Sequence, residues 1–284
     1  MKASAVHEVI LVPQQFATIQ AAIDAVVGPA TIVVGPGVYP ESISVLDKET
    51  LIIQSARLSR RGVTIRGFEG SAVIHAVRSQ LHLSGICIRS DFRLRGLLVD
   101  DGQINLQECI VAGNRSAGFP NAGAGMLCRR SKVHLQKSAI IGNAVGSTPG
   151  ATSAGGGLYL EDCVAEIAGT TIQANVVYGS SQARGGGVAF VGSKVRLWRG
   201  RVTDNALYAD DCAGGGIYLE NSRGCQVGGS VVTGNDCQLG RGGGIFVAGS
   251  ESDISVHRNS FVRQNHPTDI EFEPENVVPN TRSA

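Results

Sequence analysis

A repeat of about 30 residues is the feature of this sequence that most restricts its fold. Six asparagines, each three positions after a β-branched residue, are separated by 29, 32, 30, 30 and 30 residues. They are Asn114, Asn143, Asn175, Asn205, Asn235 and Asn265, and glycine-rich triplets lie between them at 123–125, 155–157, 185–187, 214–216 and 242–244. A repeat this short cannot bury an apolar face alone, so the pattern predicts a solenoid of stacked coils.

Three short strands fit within each repeat. One coil contains MLCRR (126–130), KVHLQ (132–136) and AIIGN (139–143). We therefore expect an all-β fold, a right-handed parallel β-helix whose strands stack about 4.8 Å apart around one core. The asparagines should form an amide ladder along one corner. Glycines at another corner would permit a positive φ and close approach of successive backbones.

The two sides of the repeat differ in how constant their length is. From the end of each triplet to the next asparagine there are 18 to 21 residues, whereas 8, 11, 9, 8 and 6 residues separate each asparagine from the next triplet. Variable loops on a rigid scaffold are where binding usually resides.

The N-terminus predicts a cap for the solenoid. Thr18 is the expected N-cap of a short amphipathic helix with Ile19, Ile23 and Val26 on one face. We divide the single predicted domain, 1–284, into four parts. They are the cap (1–30), irregular early coils (31–110), regular coils (111–265) and a C-terminal tail (266–284).

Charge and composition disfavour several function classes. The net charge is +1 with no long basic run, so no nucleic-acid partner is expected. No apolar run reaches membrane-spanning length, and the first residues lack the apolar core of a secretory signal. These features predict a soluble protein, cytoplasmic as written and extracellular if a signal was removed. Seven cysteines without a CxxC pair indicate small buried side chains, and Cys212 and Cys237 are the one pair in neighbouring loops.

The N-terminal block resembles known β-helix proteins. Residues 16–45, FATIQAAIDAVVGPATIVVGPGVYPESISV, contain a helix, a strand and the motif Gly37-x-Tyr39-x-Glu41. This block is similar to the opening of the pectin-lyase-like superfamily, especially the pectin methylesterases. The later coils are similar to generic β-helix repeats, including those of polymorphic outer-membrane proteins. The resemblance implies the β-helix fold and favours an acidic polysaccharide as ligand.

The catalytic motifs of those relatives are missing. Pectin methylesterases carry one catalytic aspartate in a QD segment and another in a D-F-x-F-G segment. No QD occurs here, and Asp91-Phe92 begins only a loose echo of the second segment, too early in the chain. Pectate lyases coordinate calcium with stacked carboxylates and use an arginine base, which Asp100, Asp101 and Arg129 would imitate only by coincidence of register. Methylesterase activity is therefore not expected.

An outward stripe along the triplet-led strands is the main candidate site. The residue after each triplet is apolar and should point inward, so alternation turns the next residue outward, and again the one two positions further on. The first row is Leu127, Tyr159, Ala189, Tyr218 and Phe246, and the second is Arg129, Glu161, Val191, Glu220 and Ala248. The flanking loops add Tyr178, Arg184, Tyr208, Asp210, Asp211, Asp236 and Arg241.

This stripe predicts a groove for a sugar chain. Aromatic faces stack on sugar rings, while carboxylates and arginines bind hydroxyls or transfer protons. Catalytic roles are assigned to Glu161, Glu220, Asp211 and Arg184. Substrate binding is assigned to Tyr159, Tyr218, Phe246, Arg129, Asp210, Arg241, Tyr178 and Tyr208. No metal or cofactor is expected.

The two glutamates lie two coils apart, roughly 9.6 Å by strand spacing. That separation is too large for a retaining glycosidase pair and near the upper limit for an inverting pair.

Two structural interpretations of the stripe stay open. Arg129 could form a cross-strand ion pair with Glu161, and the loops or a trimer contact could bury the aromatic residues. Single histidines in strands and the one tryptophan are weaker candidates, because at most two of the histidines could be neighbours. They are His75, His82, His134, His257 and Trp198.

Three functions follow. The first is a carbohydrate-active enzyme of lyase, hydrolase or epimerase type acting on an acidic oligosaccharide. The second is a non-catalytic β-helix that binds a glycan or a partner protein, favoured by the near-identical repeats. The third is an intracellular enzyme for a small, partly apolar metabolite, favoured by the missing signal and by the stripe of Tyr and Phe residues. A homo-oligomer is compatible with each.

Overall fold

The structure is a computed structural model that describes residues 7–57, 62–91, 93–116, 120–146, 150–179, 181–238 and 240–274. Phe92, of the loose D-F motif, and the end of the C-terminal tail lie outside the described residues. Within the described parts the chain winds into coils whose three long faces are parallel sheets, named here A, B and C in chain order.

The strands of each sheet stack in register along the solenoid. Sheet A contains Glu8–Val12, Ala30–Val34, Leu51–Ser55, Gln80–Ser84, Gln103–Gln107, Lys132–Gln136, Val164–Ala168, Lys194–Trp198, Cys225–Gly228 and Ile254–Val256. Sheet B contains Gly37–Tyr39, Val63–Gly67, Ile86–Ser90, Ile110–Ala112, Ala139–Ile141, Thr171–Gln173, Arg201–Thr203, Val231–Thr233 and Phe261–Val262. Sheet C contains Ile43–Leu46, Ala72–Val77, Arg95–Asp100, Met126–Arg129, Leu158–Glu161, Val188–Val191, Ile217–Glu220, Ile245–Ala248 and Ile270–Phe272.

One apolar core runs the length of the solenoid, from Ile10 to Val247. It forms because alternate residues of each strand point inward. In Lys132–Gln136, for example, Val133 and Leu135 are buried while their neighbours are not. Each large apolar side chain buried in this way contributes about 1.5–3 kcal/mol. The predicted all-β parallel β-helix is confirmed.

The N-terminal helix spans Ile19–Ala25, and Thr18 is its N-cap, as predicted. The Thr18 side chain accepts a hydrogen bond from the amide of Ala21, and Ile19 and Ile23 are buried. The Glu41 carboxylate accepts two more amides of the first turn, those of Ile19 and Gln20, at 2.9 and 2.8 Å. Glu41 of the G-x-Y-x-E motif therefore holds this helix against the first coils.

The asparagine ladder is confirmed. The Asn175 Oδ1 accepts hydrogen bonds from the backbone amide and the side-chain amide of Asn143, at 3.0 and 2.9 Å. The Asn175 Nδ2 donates to the next rung, Asn205 Oδ1, at 3.0 Å and to the carbonyl of Ile140 at 3.0 Å. Since both residues beside it on the ladder are equally buried, these bonds satisfy amides that water cannot reach.

The other two corners carry ladders of serine and cysteine, which the sequence pattern did not reveal. Between sheets C and A, the amide of Cys163 donates to Ser193 Oγ at 2.9 Å and that of Ser193 to Ser222 Oγ at 3.0 Å. Between sheets A and B, the amide of Cys109 donates to Ser138 Oγ at 3.1 Å. Cys109 and Cys163 thus occupy positions that serines hold elsewhere in these ladders, and both are buried.

The variable loops fold into arms, defined here as the segments between each asparagine and the next triplet. They were expected to be loops, but they pair into two small parallel sheets. The first arm sheet contains Arg115–Ser116, Ala144–Val145, Val176–Tyr178 and Ala206–Tyr208, and the second contains Ser153–Ala154, Gln182–Arg184 and Asp211–Ala213. Val177, Leu207 and Cys212 belong to a separate apolar cluster of the arms. The Cys237 thiol donates a hydrogen bond to Cys212 Sγ at 2.9 Å there.

The glycine triplets let neighbouring coils touch backbone to backbone. A methyl group on Gly187 would lie 2.7 Å from the carbonyl oxygen of Gly216 and 2.9 Å from the Asn205 side-chain amide. Any larger residue would push the coils apart at the start of sheet C.

Candidate functional site

The outer face of sheet C carries the two predicted rows, with the predicted register. Tyr159, Ala189, Tyr218 and Phe246 pair in succession along the stack. The arms cover most of this first row, since Ala154 and Ala213 of the second arm sheet pack in the same cluster as Tyr218 and Phe246.

The expectation of an open aromatic stripe needs correction for two of its three rings. Phe246 is 1% exposed and Tyr218 is 6% exposed, so neither presents a free ring face. Their rings stack on one another at 6.0 Å. The Arg184 guanidinium lies 5.9 Å from the Tyr218 ring and that of Arg241 lies 4.8 Å from the Phe246 ring. These two arginines therefore hold the arms against the aromatic residues of the first row through cation–π contacts. Tyr159 remains half-buried.

The second row stays partly open and begins with an ion pair. Arg129 donates to both carboxylate oxygens of Asp100, at 2.6 and 3.0 Å. The cross-strand pair of Arg129 with Glu161 that the sequence left open is not formed. Arg129 instead turns toward the preceding coil, where Asp100 is nearly buried. Arg129 is thereby charge-compensated, and Glu161 is left without an ion partner among the described residues.

The partly exposed surface around Glu161, Val191 and Glu220 is called the carboxylate notch here. Glu161, Val191 and Glu220 occupy the same position on three adjacent strands, with the short apolar Val191 between the two acids. The Tyr218 hydroxyl donates to Glu220 Oε2 at 3.2 Å. Burial, with Glu161 and Glu220 nearby, raises the pKa of Tyr159 to about 12, so its hydroxyl stays protonated and can donate.

The second arm sheet forms a polar wall beside this notch. Arg184 donates to Asp211 Oδ2 at 2.6 Å, and this bond lowers the pKa of Asp211. Thr152 donates to Gln182 at 3.0 Å, and Gln182 donates to Asp211 at 3.3 Å. Asp211 is therefore a fixed acceptor of the wall, already engaged by two donors, rather than a free acid.

The remaining predicted residues lie at the arm tips. Tyr178 and Tyr208 are 47% and 38% exposed, and their rings stack 5.5 Å apart. Asp210 is exposed at the turn that follows Tyr208. The structure thus separates the predicted set into a notch, an arm wall and a tip, instead of gathering it in one groove.

The sequence did not predict that His75 and Arg95 lie near the second row, although His75 was a weak candidate by itself. The His75 Nε2 lies 3.9 Å from Asp100 Oδ2, and burial lowers the pKa of this histidine. Arg95 is buried at the base of the first arm, and its Nη2 donates to Ser116 Oγ and to the carbonyl of Pro120. Early coils lack the asparagine and the triplet, so no repeat mark aligned these residues with the later stripe.

No cluster of three His, Cys, Asp or Glu side chains among the described residues could hold a metal ion. Within the same ranges, no helix is long and apolar enough to cross a membrane.

The coils, ladders and inward core define a solenoid of the parallel β-helix class. The chain belongs to the right-handed β-helix family, because the family model for the right handed beta helix region matches residues 42–261. No curated protein matches the chain significantly.

The chain is similar to several solved structures at low sequence identity. A pectin methylesterase from Aspergillus niger is 12% identical, the match covers 100% of this chain and 92% of that chain, and the TM-score is 0.48. Tailspike protein 3 of bacteriophage CBA120 is 11% identical over 92% of this chain and 59% of that chain, with a TM-score of 0.35. The A-module of a mannuronan C-5 epimerase from Azotobacter vinelandii is 13% identical over 90% and 94%, with a TM-score of 0.19. At these identities the likeness concerns the fold alone.

Proposed function

We propose that this β-helix protein binds an oligosaccharide at the carboxylate notch, with the polar arm wall beside it. The notch carries the proposal, because two carboxylates and a protonated phenol surround a short apolar floor at Val191. Sugar rings offer the matching pattern, with hydroxyls for the oxygens and C–H faces for the apolar floor. The names of the solved structures, two of them carbohydrate-acting enzymes, are compatible with this ligand class.

The finer assignment is acid–base cleavage of an acidic oligosaccharide with inversion. Carboxylates about 9.6 Å apart at the backbone leave room for a water molecule between one acid and the sugar. Glu220 suits the base, since Tyr218 already donates to its carboxylate and fixes it as an acceptor. Glu161, free of an ion partner among the described residues, suits the acid. Arg241, which has no ion partner there either, would bind a sugar carboxylate.

The third hypothesis, an enzyme for a small apolar metabolite, loses one of its two supports. It relied partly on the stripe of Tyr and Phe residues, and the arms cover Tyr218 and Phe246. Non-catalytic glycan binding is the alternative within the proposal, and a turnover assay separates the two.

The test is calorimetric titration with galacturonate hexasaccharide and with cellohexaose, together with a reducing-end assay for cleavage. We expect Glu161→Gln and Glu220→Gln each to weaken binding at least tenfold or to abolish cleavage with binding retained. Glu69→Gln, an exposed acid away from the notch, is the matched control and should match the parent protein. Equal binding by all three variants without any loss of cleavage in Glu161→Gln or Glu220→Gln, or no binding by the parent protein, would overturn the proposal.

A further inference from the structure

The outer face of sheet A carries a second set of polar side chains, unrelated to the arms. Five successive strands carry polar side chains at paired register positions, which form a row along the sheet. The row contains His82, Asn105, His134, Glu166 and Arg196. Neighbours in this row interact, since Asn105 Nδ2 lies 2.7 Å from His82 Nδ1 and Glu166 lies 3.8 Å from His134 and 3.9 Å from Arg196. All five are half-buried or exposed, so the row faces solvent.

The single tryptophan of the chain lies beside the end of this row. Trp198 lies over Gly228 of the next strand, where any side chain would collide with the indole. The His257 ring meets the indole edge-on, with centroids 5.1 Å apart at 75°. The contacts with Gly228 and His257 therefore hold the indole in place along the sheet.

On the other side of the indole the sheet leaves a cavity. The strand before Trp198 has only Ala168 at the paired position, so no long side chain fills the space beside the ring. This cavity of about 220 Å³, here called the tryptophan notch, is lined by Glu166, Ile167, Ala168, Arg196 and Trp198. It thus joins an aromatic surface, a small floor, a carboxylate and a guanidinium.

We propose that the tryptophan notch binds a pyranose ring of a saccharide. An immobilised indole offers an apolar, electron-rich surface to the C–H groups of a sugar. Glu166 accepts from hydroxyls, and Arg196 donates to hydroxyl or carboxylate oxygens. Glu166 and Arg196 are close enough to balance each other in charge, so the notch selects hydrogen-bonding geometry rather than net charge.

This site is independent of the function proposed for the carboxylate notch. It lies on a different sheet, uses none of the same residues and would persist if Glu161 and Glu220 bound nothing. It adds a second place where the chain would hold a saccharide, with Glu166 as the carboxylate among the residues that line the notch.

Tryptophan fluorescence gives a selective readout, because Trp198 is the sole tryptophan. The experiment titrates the full chain with maltotriose and, separately, with trigalacturonate while following emission. We expect a saturable change in emission with one of them. Ala168→Leu, which fills the notch from an exposed position, should weaken that binding at least tenfold.

Controls separate this site from the carboxylate notch and from misfolding. Val164→Leu, exposed on the same strand, should bind as the parent protein does, and Glu220→Gln should leave the emission titration unchanged. Glu166→Gln should weaken binding several-fold. No emission change with either sugar, or a change that Ala168→Leu leaves intact, would overturn the proposal. Loss of the emission response in Glu220→Gln would assign it to the carboxylate notch and also reject the tryptophan notch.

Discussion

The early coils and the later coils share one core but differ at the corner between sheets B and C. In the early coils this connection is short, as between Ser90 and Arg95. From Asn114 onward an asparagine, an arm and a glycine triplet are inserted there. The amide ladder satisfies the corner by itself, so the arm beyond it is free to vary in length. The comparison shows that a corner whose polar groups are satisfied by its own ladder can carry long insertions, and that these insertions can cover the outer face of sheet C.

The ladder should make the later coils the more sensitive region. Asn175→Ala would leave the amides of Asn143 and the carbonyl of Ile140 without partners in a dry interior. We expect the free energy of unfolding to fall by about 3–4 kcal/mol, measured by urea denaturation. Asn105→Ala, on the open face of sheet A, is the matched control and should cost less than about 1 kcal/mol. Equal losses at the two sites would remove the distinction.

Backbone contact at the triplets is the second expected difference. Gly187→Ala would place a methyl group against the carbonyl of Gly216, so we expect a loss of about 2–3 kcal/mol by thermal or urea unfolding. Gly28→Ala, which has nothing within 4 Å of the added methyl, should change stability by less than about 0.5 kcal/mol. A tolerated alanine at 187 would show that the coils can separate there.

The junction of the two regions offers a third comparison, between two neighbouring ion pairs. Asp100 with Arg129 is largely buried, whereas Asp101 with Arg130 is exposed, although both pairs are bidentate with shortest distances of 2.6 Å. Asp100→Asn should lower the free energy of unfolding by about 1–2 kcal/mol, since Arg129 then loses its counter-charge in a desolvated place. Asp101→Asn should have no measurable effect, because water screens that pair. High salt should not abolish the difference.

The early and later coils should also lose stability at different pH values. This is the smallest of the four effects predicted for these regions. The pKa of His75, in the early coils, is lowered by burial, so its contribution is complete above the unfolded value near 6.5 and is lost below it. The pKa of Asp211, in an arm, is lowered by its bond to Arg184, so that contribution is lost only below about 3.8. Denaturation between pH 8 and 3 should show two steps, removed separately by His75→Gln and Asp211→Asn. A single step that survives both substitutions would contradict this assignment.

The sequence predicted the regular parts of the molecule well, because periodic residues report their own geometry. Asn175 and its copies marked one corner, and the alternation in Leu158–Glu161 gave the correct outward rows. The helix with Thr18 as N-cap also followed from local pattern. What the pattern did not contain was contact between segments. The arms form strands that bury Phe246, and Arg129 pairs with Asp100 instead of Glu161. Both outcomes depend on which segments pack against one another, and the repeat pattern does not report this.

The tryptophan notch is a further example of contacts that the sequence pattern does not reveal. Trp198, Ala168 and Gly228 belong to different strands and carry no shared motif, and only stacking brings them together. The repeat pattern therefore could not predict their arrangement.

The corner ladders have a consequence for how such a chain changes in length over evolution. A rung makes the same bonds to the rung before and after it, so removal of residues 176–205, from one asparagine to the next, would bring Asn175 opposite Asn235. Unequal recombination at these points would add or remove whole coils while the asparagine ladder keeps the same type of hydrogen bond. Chain length would then change in steps of about 30 residues, and each step would lengthen or shorten every face of the molecule by about 4.8 Å.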